Sequence, residues 1–500
     1  MFKIFPGFNI LEKIQNDKSH KRQRKLPVST LKLILIVAVT LVVALLPTET
    51  FHELGLEGLT AVHQRIIALF VFAALMWLTE TMPSWVTSMI VVTVMLFTVS
   101  TSAFNFLRPE GGVGLVPFKS IFACFSNPTI MLFIGGFVLA IGMTKVKLDV
   151  ALARVLLKPF GTKSEIVLLG FMLVTAIFSA FVSNTATAAM MLAFLGPVLR
   201  SLPADGKGRI ALALAIPVGA NLGGMITPIG TPPNMIALDY LASQGMGISF
   251  VDWTIKMAPF VILLLFLAWL LLRFLFPFKQ KNIKIEIEGD IAWNYKTWSV
   301  VIAFVVTIFM WMFGTDMWGV DTNVVAMIPI AIFCATGILT RRDLEEINWS
   351  VLWMVAGGFA LGVALNYSGG GSESLSSIIV KSVPFDAFSP IVVMILAGLI
   401  CFGFSNFISH SAATSLLVPV LGVVASGLGS ALDGVGGPQA MLVGIAIASS
   451  VSMILPISTP PNAIAHSTGF IEQKDMMTVG IIVGVLGLVL GYGMLIFIGF

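Results

Sequence analysis

Two pairs of polar segments occur in the same order within an otherwise apolar chain. Each half first carries a cluster of hydroxyl and amide side chains, at residues 179–186 and again at residues 405–412. Each cluster is followed by a Thr-Pro-Pro-Asn segment, at residues 231–234 and 459–462. In hydrocarbon, a helix interrupted by proline is tolerated only where its free backbone groups line a cavity or are buried in protein. Two such interruptions at corresponding positions predict a transporter binding site between two related halves.

The composition is that of a polytopic α-helical membrane protein. Of the 500 residues, 57% are hydrophobic and only 11% are charged, whereas a soluble domain carries about 25% charged residues. Apolar runs close to the length that spans a bilayer recur along the whole sequence, and the weak alternating pattern of barrel strands is absent. The three cysteines have no CxxC spacing, so we expect neither a disulfide framework nor a metal site built from them.

The apolar runs predict eleven spans that form two inverted repeats, each with a re-entrant hairpin and a broken span. The predicted segments are a cytoplasmic tail (1–30), a first span with an outside loop (31–63), repeat 1 (64–278) with its hairpin (164–200) and broken span (208–243), a cytoplasmic linker (279–296), and repeat 2 (297–500) with its hairpin (386–425) and broken span (438–468).

The distribution of basic residues sets the predicted orientation in the plasma membrane. Most of the 29 Lys and Arg residues fall on the cytoplasmic side of this topology, as the positive-inside rule requires. We therefore expect the N-terminus in the cytoplasm and the C-terminus outside. The basic tail is expected to contact anionic lipid of the bilayer, not nucleic acid. The Lys and Arg residues predicted to lie outside are Arg65, Arg108, Lys119, Lys256 and Lys381.

Near-constant offsets between matching motifs support the repeat. Gly135-Gly136-Phe137 matches Gly357-Gly358-Phe359 at an offset of 222 residues, the polar clusters at 226 and the Thr-Pro-Pro-Asn segments at 228. Each half then has five crossings, an odd number, so the second half is inverted relative to the first. Inverted repeats with interruptions near the midplane are typical of secondary transporters that work by alternating access.

The polar clusters have the chemistry of an anion site. Ser183-Asn184-Thr185 and Ser409-His410-Ser411 both read as helix starts, and the free N–H groups at a helix start favour a negative charge. Two starts from opposite sides of the membrane suit one anion with two carboxylates. The Thr-Pro-Pro-Asn segments are expected to leave unpaired carbonyls that suit Na⁺. None of these stretches contains Lys or Arg, so bound cations or His410 must compensate the charge of a dianion.

At these motifs the chain resembles the divalent anion/sodium symporter family, the di- and tricarboxylate carriers of the INDY type. The resemblance covers nearly the whole chain from residue 30 and is most specific at residues 183–185, 230–234 and 458–462. It implies a homodimer of the elevator type, in which a transport domain moves against a scaffold and a dicarboxylate binds between the hairpin tips. The substrate contacts that it implies are Ser183, Asn184, Thr185, Pro232, Ser409, His410, Ser411 and Pro460. The first sodium site that it implies is Ser179, Ser183, Asn184 and Gly230, and the second is Ser405, Ile408, His410 and Ser458.

One departure from the family pattern bears on coupling. The second tip of the family is normally Ser-Asn-Thr, and here it is Ser409-His410-Ser411. His410 replaces the Asn whose oxygen would help to hold the second sodium ion, so this site is in doubt. The first site retains its residues. We therefore favour a dicarboxylate exchanger, with a sodium-coupled di- or tricarboxylate or sulfate symporter as the alternative, and we expect no cofactor beyond Na⁺.

Two other functional classes fit less well. An anion channel would use similar helix starts, but it has no need of two matched half-sites. An intramembrane enzyme would need a nucleophile and base or a metal cluster within the spans, and the motifs offer one histidine with no carboxylate partner. Succinate, malate, fumarate, 2-oxoglutarate, citrate and sulfate all carry compatible charge, and the sequence leaves the choice among them open.

Overall fold

The computed structural model describes residues 28–53, 55–203, 206–283, 292–384 and 387–500. Within these ranges the chain consists of helices, with isolated bridges and no strand, which confirms the predicted all-α class. Most of the predicted tail, part of the predicted linker and the first residue of the predicted second hairpin lie outside the described residues. Seven of the described helices are long and apolar enough to cross a membrane, and shorter apolar helices accompany them.

The helices before the linker include both parts of the first hairpin and of the first broken span. They are α1 (Val28–Leu45), α2 (Thr48–Glu53), α3 (Ala61–Thr79), α4 (Ser84–Thr98), α5 (Phe118–Ala123), α6 (Pro128–Lys145), α7 (Leu148–Leu157), α8 (Ser164–Ser179), α9 (Asn184–Ser201), α10 (Gly208–Gly223), α11 (Pro232–Ser243) and α12 (Phe250–Leu275).

The helices after the linker follow the same plan. They are α13 (Tyr295–Trp318), α14 (Thr322–Val325), α15 (Met327–Ala335), α16 (Arg341–Glu345), α17 (Trp349–Asn366), α18 (Leu375–Ser382), α19 (Pro390–Ser405), α20 (His410–Leu428), α21 (Gly437–Ser450), α22 (Pro460–Ser467) and α23 (Gln473–Phe497).

One segment that the sequence predicts as a continuous span is divided in the structure. Residues 322–339 contain two helices, because α14 ends at Val325 and α15 begins at Met327. Pro329 accounts for the division, since it has no N–H to offer the carbonyl of Val325. The division also lets α6 come close, because a Cβ built on Gly135 would lie 2.4 Å from the carbonyl oxygen of Ala326.

The helices pack into two groups that meet along one cleft. Small residues bring helices together within the first group: Gly357 of α17 lies against Ser88 of α4, whose Oγ donates to the carbonyl of Met354 at 3.1 Å. The repeated Gly-Gly-Phe motif therefore contributes to helix packing. Contacts between α17 and α20 join the two groups. The first group comprises α1, α3, α4, α6, α13, α14, α15 and α17, and the second comprises α8–α12 and α19–α23.

Candidate functional site

The turn between α8 and α9 forms a helix start at the first polar cluster. Ser183 caps α9, and its Oγ accepts a hydrogen bond from the N–H of Ala186 at 3.3 Å. The carbonyl of Ser183 accepts from the N–H of the residue after Ala186, at 3.0 Å. The first N–H groups of a helix have no carbonyl partner within that helix, so the N–H groups of Asn184 and Thr185 remain available to an anion.

The turn between α19 and α20 repeats this arrangement at the second cluster. Ser409 caps α20, its Oγ accepts from the N–H of Ala412 at 3.3 Å, and its carbonyl accepts from the next N–H at 3.0 Å. The N–H groups of His410 and Ser411 are therefore left free in the same way as those of the first tip. Each tip presents two backbone donors at the positive end of a helix dipole.

The two Thr-Pro-Pro-Asn segments are also helix starts. Thr231 and Thr459 are extended, with φ of −148° and −141°, and each is followed by a proline in the first position of α11 or α22. Proline favours this position because its φ is already helical and its missing N–H is not needed there. These two starts therefore add the positive end of a dipole to the site but lack the first two backbone donors.

The asparagine of each segment donates hydrogen bonds to backbone carbonyls that the interruption would otherwise leave unpaired. The Nδ2 of Asn234 donates to the carbonyls of Gly224 and Thr227, at 3.0 and 2.8 Å. The Nδ2 of Asn462 donates to two carbonyls in the matching loop, at 2.9 and 3.0 Å. The expectation that the interruptions leave their carbonyls unpaired is therefore wrong for these four groups, because each loop carries its own amide donor.

One cavity of about 330 Å³ joins both tips and both interruptions. This volume lies at the lower end of the range for small-molecule sites. Ser179, Ser405 and Ile408, which belong to the predicted sodium sites, are buried and do not line the cavity. The predicted residues that do line it are Ser183, Asn184, Thr185, Gly230, Pro232, Ser409, His410, Ser411, Ser458 and Pro460.

The opposite wall comes from helices that the sequence analysis did not assign to the site. Trp85 of α4, Phe133 and Phe137 of α6, and Asn348 and Met354 at the start of α17 line this wall. Of these five residues only Phe137 belongs to a repeated sequence motif, Gly135-Gly136-Phe137; the others lie in apolar spans that give a single sequence no signal. Among the described residues that line the cavity, only His410 has an ionisable side chain.

Behind the first tip, three oxygen atoms lie close together around the hydroxyl of Ser179, and one of them, the carbonyl of Ala220, also accepts from the N–H of Gly224 at 3.1 Å. The Oγ of Ser179 is 2.6 Å from the Oδ1 of Asn184 and 2.7 Å from the carbonyl oxygen of Ala220. A hydroxyl has one hydrogen and can donate it to one of these two acceptors. The surrounding backbone packs closely. A Cβ built on Gly224 would lie 2.6 Å from the Oδ1 of Asn184, and a Cβ built on Gly230 would lie too close to the carbonyl oxygen of Gly224.

The matching region behind the second tip contains a donor from the protein itself. The Nε2 of His410 is 2.6 Å from the carbonyl oxygen of Ser452, and since a carbonyl only accepts, Nε2 must carry the hydrogen. Ser452 corresponds to Gly224 at the offset of 228 residues. The Oγ of Ser405 donates to the Oγ of Ser449, which donates to the carbonyl of His410 at 3.0 Å. In this region the carbonyl of Ser452 is therefore paired with an imidazole N–H of the protein itself.

The fold and the comparisons with known proteins define a membrane transporter, not an enzyme. Residues 74–436 match the family model CitMHS, described as citrate transporter. The chain belongs to this citrate transporter family, and the predicted resemblance is confirmed.

Individual relatives agree with the family assignment. An uncharacterised transporter of Schizosaccharomyces pombe is 30% identical over 433 residues, which are 83% of this chain and 47% of that protein, about half of its length. The sodium-dependent dicarboxylate transporter SdcS of Staphylococcus saprophyticus is 28% identical over 462 residues, 85% of this chain and 84% of that protein. The structure of the YdaH transporter of Alcanivorax borkumensis has a TM-score of 0.55 at 14% identity and covers 87% of this chain and 99% of its own, a likeness of fold alone.

Proposed function

We propose that this protein is a secondary carrier of C4-type dicarboxylates, the class of succinate, malate, fumarate and 2-oxoglutarate. The observation that carries the proposal is the convergence of two hairpin tips on one cavity, each with two free N–H groups. Each tip binds one carboxylate, so two matched tips select an anion with two. The name of the Staphylococcus saprophyticus relative, a sodium-dependent dicarboxylate transporter, supports this substrate class.

The remaining substrate contacts follow from the lining of the cavity. Ser183 and Ser409 accept a backbone N–H as helix caps and keep their hydroxyl hydrogens, so the directional contacts come from Ser183, Asn184, Thr185, Ser409 and Ser411. Pro232 and Pro460 begin the two helices whose dipoles point at the same anion. Hydrophobic side chains on the opposite wall contact the carbon chain of the substrate.

We favour exchange of one dianion for another because of the contact between His410 and Ser452. The imidazole N–H occupies the carbonyl that a second cation would bind, and unlike Na⁺ it cannot leave with the substrate. A protonated His410 keeps its positive charge in the site after the substrate has left, and such a site is best filled by another dianion. The carrier then returns quickly across the apolar barrier only when it is loaded.

Sodium-coupled symport is the second candidate, and the oxygen group at Ser179 supports it. The amide oxygen of Asn184 and the carbonyl oxygen of Ala220 both lie within 2.7 Å of the Oγ of Ser179, and such hard oxygen ligands suit Na⁺. A carrier with this site alone would bind one sodium ion. The closely packed backbone at Gly230 would form part of that site. The second predicted site, at Ser405, Ile408, His410 and Ser458, would hold none.

We infer an elevator mechanism from the two helix groups; the homodimer is what the family resemblance implies, and we place it in the plasma membrane. The second helix group carries both tips and both interruptions, and we assign it to the moving transport domain; the first group is the scaffold. In the eleven-span topology, Trp85 and Asn348 lie at the cytoplasmic ends of α4 and α17, so a cavity that reaches them faces inward.

The same topology predicts which side of the membrane each loop faces. A cysteine introduced near Lys279 should react only from the cytoplasmic side and one near Glu373 only from outside.

Flux into proteoliposomes tests the function directly. Purified protein is reconstituted with or without internal unlabelled succinate, and uptake of labelled succinate is measured with and without an inward Na⁺ gradient. The exchange proposal expects saturable uptake into preloaded vesicles that is insensitive to Na⁺. Strong Na⁺-driven uptake into empty vesicles would favour symport instead, and flux that neither saturates nor responds to internal substrate would indicate a channel.

Gly224→Ala should reduce this uptake by about tenfold or more, the loss expected when a positioned group is displaced by roughly 1 Å. The added Cβ would lie 2.6 Å from the Oδ1 of Asn184 and must push that side chain away. Gly403→Ala in α19 is the matched control, since a Cβ there has no atom within 4 Å. Initial rates of labelled succinate uptake compare the two variants, and equal rates would argue against the placement of Asn184.

A further inference from the structure

A second cavity, of about 300 Å³, lies in the same cleft as the candidate substrate cavity. The same four helices form both cavities or border them: α6, α11, α17 and α20. The second cavity lies further along α11, α17 and α20, towards their C-terminal ends, and meets the start of α6. It therefore lies between the two helix groups and belongs to neither tip.

Asp239 of α11 places a carboxylate on the wall of this second cavity. Its Oδ1 accepts from the Oγ1 of Thr129 at 2.7 Å and its Oδ2 from the Nδ2 of Asn127 at 3.4 Å. Both donors are neutral, and within the described parts of the chain no Lys, Arg or His forms an ion pair with Asp239. A carboxylate has about four acceptor positions, so roughly two remain unused.

A half-buried carboxylate without a charged partner is costly unless a cation binds beside it. A second polar atom adds to the case: the Oγ of Ser415 is buried beside this cavity and has no hydrogen-bond partner in the described ranges. One part of the remaining wall is hydrophobic, with Phe359, Val363 and Val418, and another is polar, with Tyr240, Ser243, Gln244 and Asn366. The cavity thus combines a carboxylate, an unpaired hydroxyl, neutral polar groups and an apolar surface.

We propose that the second cavity binds a small organic cation, a primary ammonium attached to a short hydrocarbon. The ammonium pairs with Asp239 and the hydrocarbon covers the apolar walls. A bare Na⁺ fits less well, because it would leave the apolar walls at Phe359, Val363 and Val418 against water. A carboxylate ligand is excluded by repulsion from Asp239. The inference goes beyond the proposed transport function and does not depend on it.

A ligand in this position would contact both helix groups at once. Asp239 lies on α11 in the second group, while Thr129 and Phe359 lie on α6 and α17 in the first. Sliding of one group past the other would pull these contacts apart. An occupant therefore stabilises the arrangement seen here and would inhibit transport without competing for the substrate cavity.

Calorimetric titration of the purified full-length protein with phenethylammonium chloride tests the site. We expect saturable binding to the wild type, with affinity about tenfold or more weaker for Asp239→Asn, a loss of about 1.4 kcal/mol. The neutral 2-phenylethanol, of the same size, should bind at least about tenfold more weakly than the ammonium. Replacing choline chloride by NaCl in the buffer should leave phenethylammonium bound.

A second variant fills the cavity and keeps the carboxylate. A Cβ on Gly362 would have Pro419 as its nearest neighbour at 3.9 Å, so Gly362→Leu can extend into the space and should also weaken binding about tenfold. Glu110→Gln, which removes an exposed carboxylate elsewhere, should bind like the wild type. The proposal fails if Gly362→Leu and a folded Asp239→Asn both bind normally, if the alcohol binds equally well, or if NaCl displaces the ammonium. Binding is read without transport, so this outcome is separate from that of the flux assay.

Discussion

Asn184→Ala will lower dicarboxylate uptake by about 100-fold, the size of loss that follows removal of a preorganised polar group from a site. The Asn184 side chain lies between the Oγ of Ser179 and the backbone of Gly224, and its residue also provides one of the free N–H groups of the first tip. Truncation removes two things together: the proposed contact to the anion and the amide oxygen that lies beside the Oγ of Ser179. Initial rates of labelled succinate uptake into preloaded proteoliposomes measure the effect.

The control for this variant is Asn105→Ala, which truncates the same residue type at an exposed position far from the cavity. It should transport at the wild-type rate. Asn184→Ala should elute from size-exclusion chromatography and melt as the wild type does, because Asn184 is a cavity residue and not part of the buried core. Wild-type uptake by a folded Asn184→Ala protein would remove the first tip from the substrate site.

Much of this site is visible in the sequence because the same motif occurs twice. A serine before an apolar helix predicts a cap, and Ser183 and Ser409 both have that role in the structure. Pairing of the two halves then places both tips in one cavity. The all-helical class follows from the apolar runs, since helices satisfy their own backbone in lipid.

Other parts of the site could not be predicted because they depend on packing between distant segments. Trp85 and Asn348 line the cavity only because α4 and α17 lie against the tips, and nothing in their local sequence indicates this. The roles of Asn234 and Asn462 as donors to their own loops depend on the loop conformation. The division between α14 and α15 was missed because hydropathy is averaged over a window of residues. Such an average does not register the hydrogen-bond donor that Pro329 lacks.

His410→Asn should convert an exchanger into a carrier that responds to sodium. In the wild type, the imidazole Nε2 donates to the carbonyl oxygen of Ser452 at 2.6 Å. An asparagine side chain is shorter and offers an oxygen, so the variant would free that carbonyl and place an amide oxygen near it. The second region would then resemble the first, where the amide oxygen of Asn184 and a backbone carbonyl both lie beside the Oγ of Ser179. Two oxygen-lined regions would hold cations that can leave with the substrate.

The expected result is a change in coupling larger than the change in rate. Uptake by the wild-type protein should require internal dicarboxylate and should not respond to an inward Na⁺ gradient. His410→Asn should take up labelled succinate into empty vesicles when that gradient is present, at an initial rate about tenfold above that of the wild type. His466→Asn is the matched control, since His466 lies on α22 and does not line the cavity; its coupling should match that of the wild type. Uptake by His410→Asn that still requires internal dicarboxylate and still ignores Na⁺ would show that the imidazole does not decide the coupling.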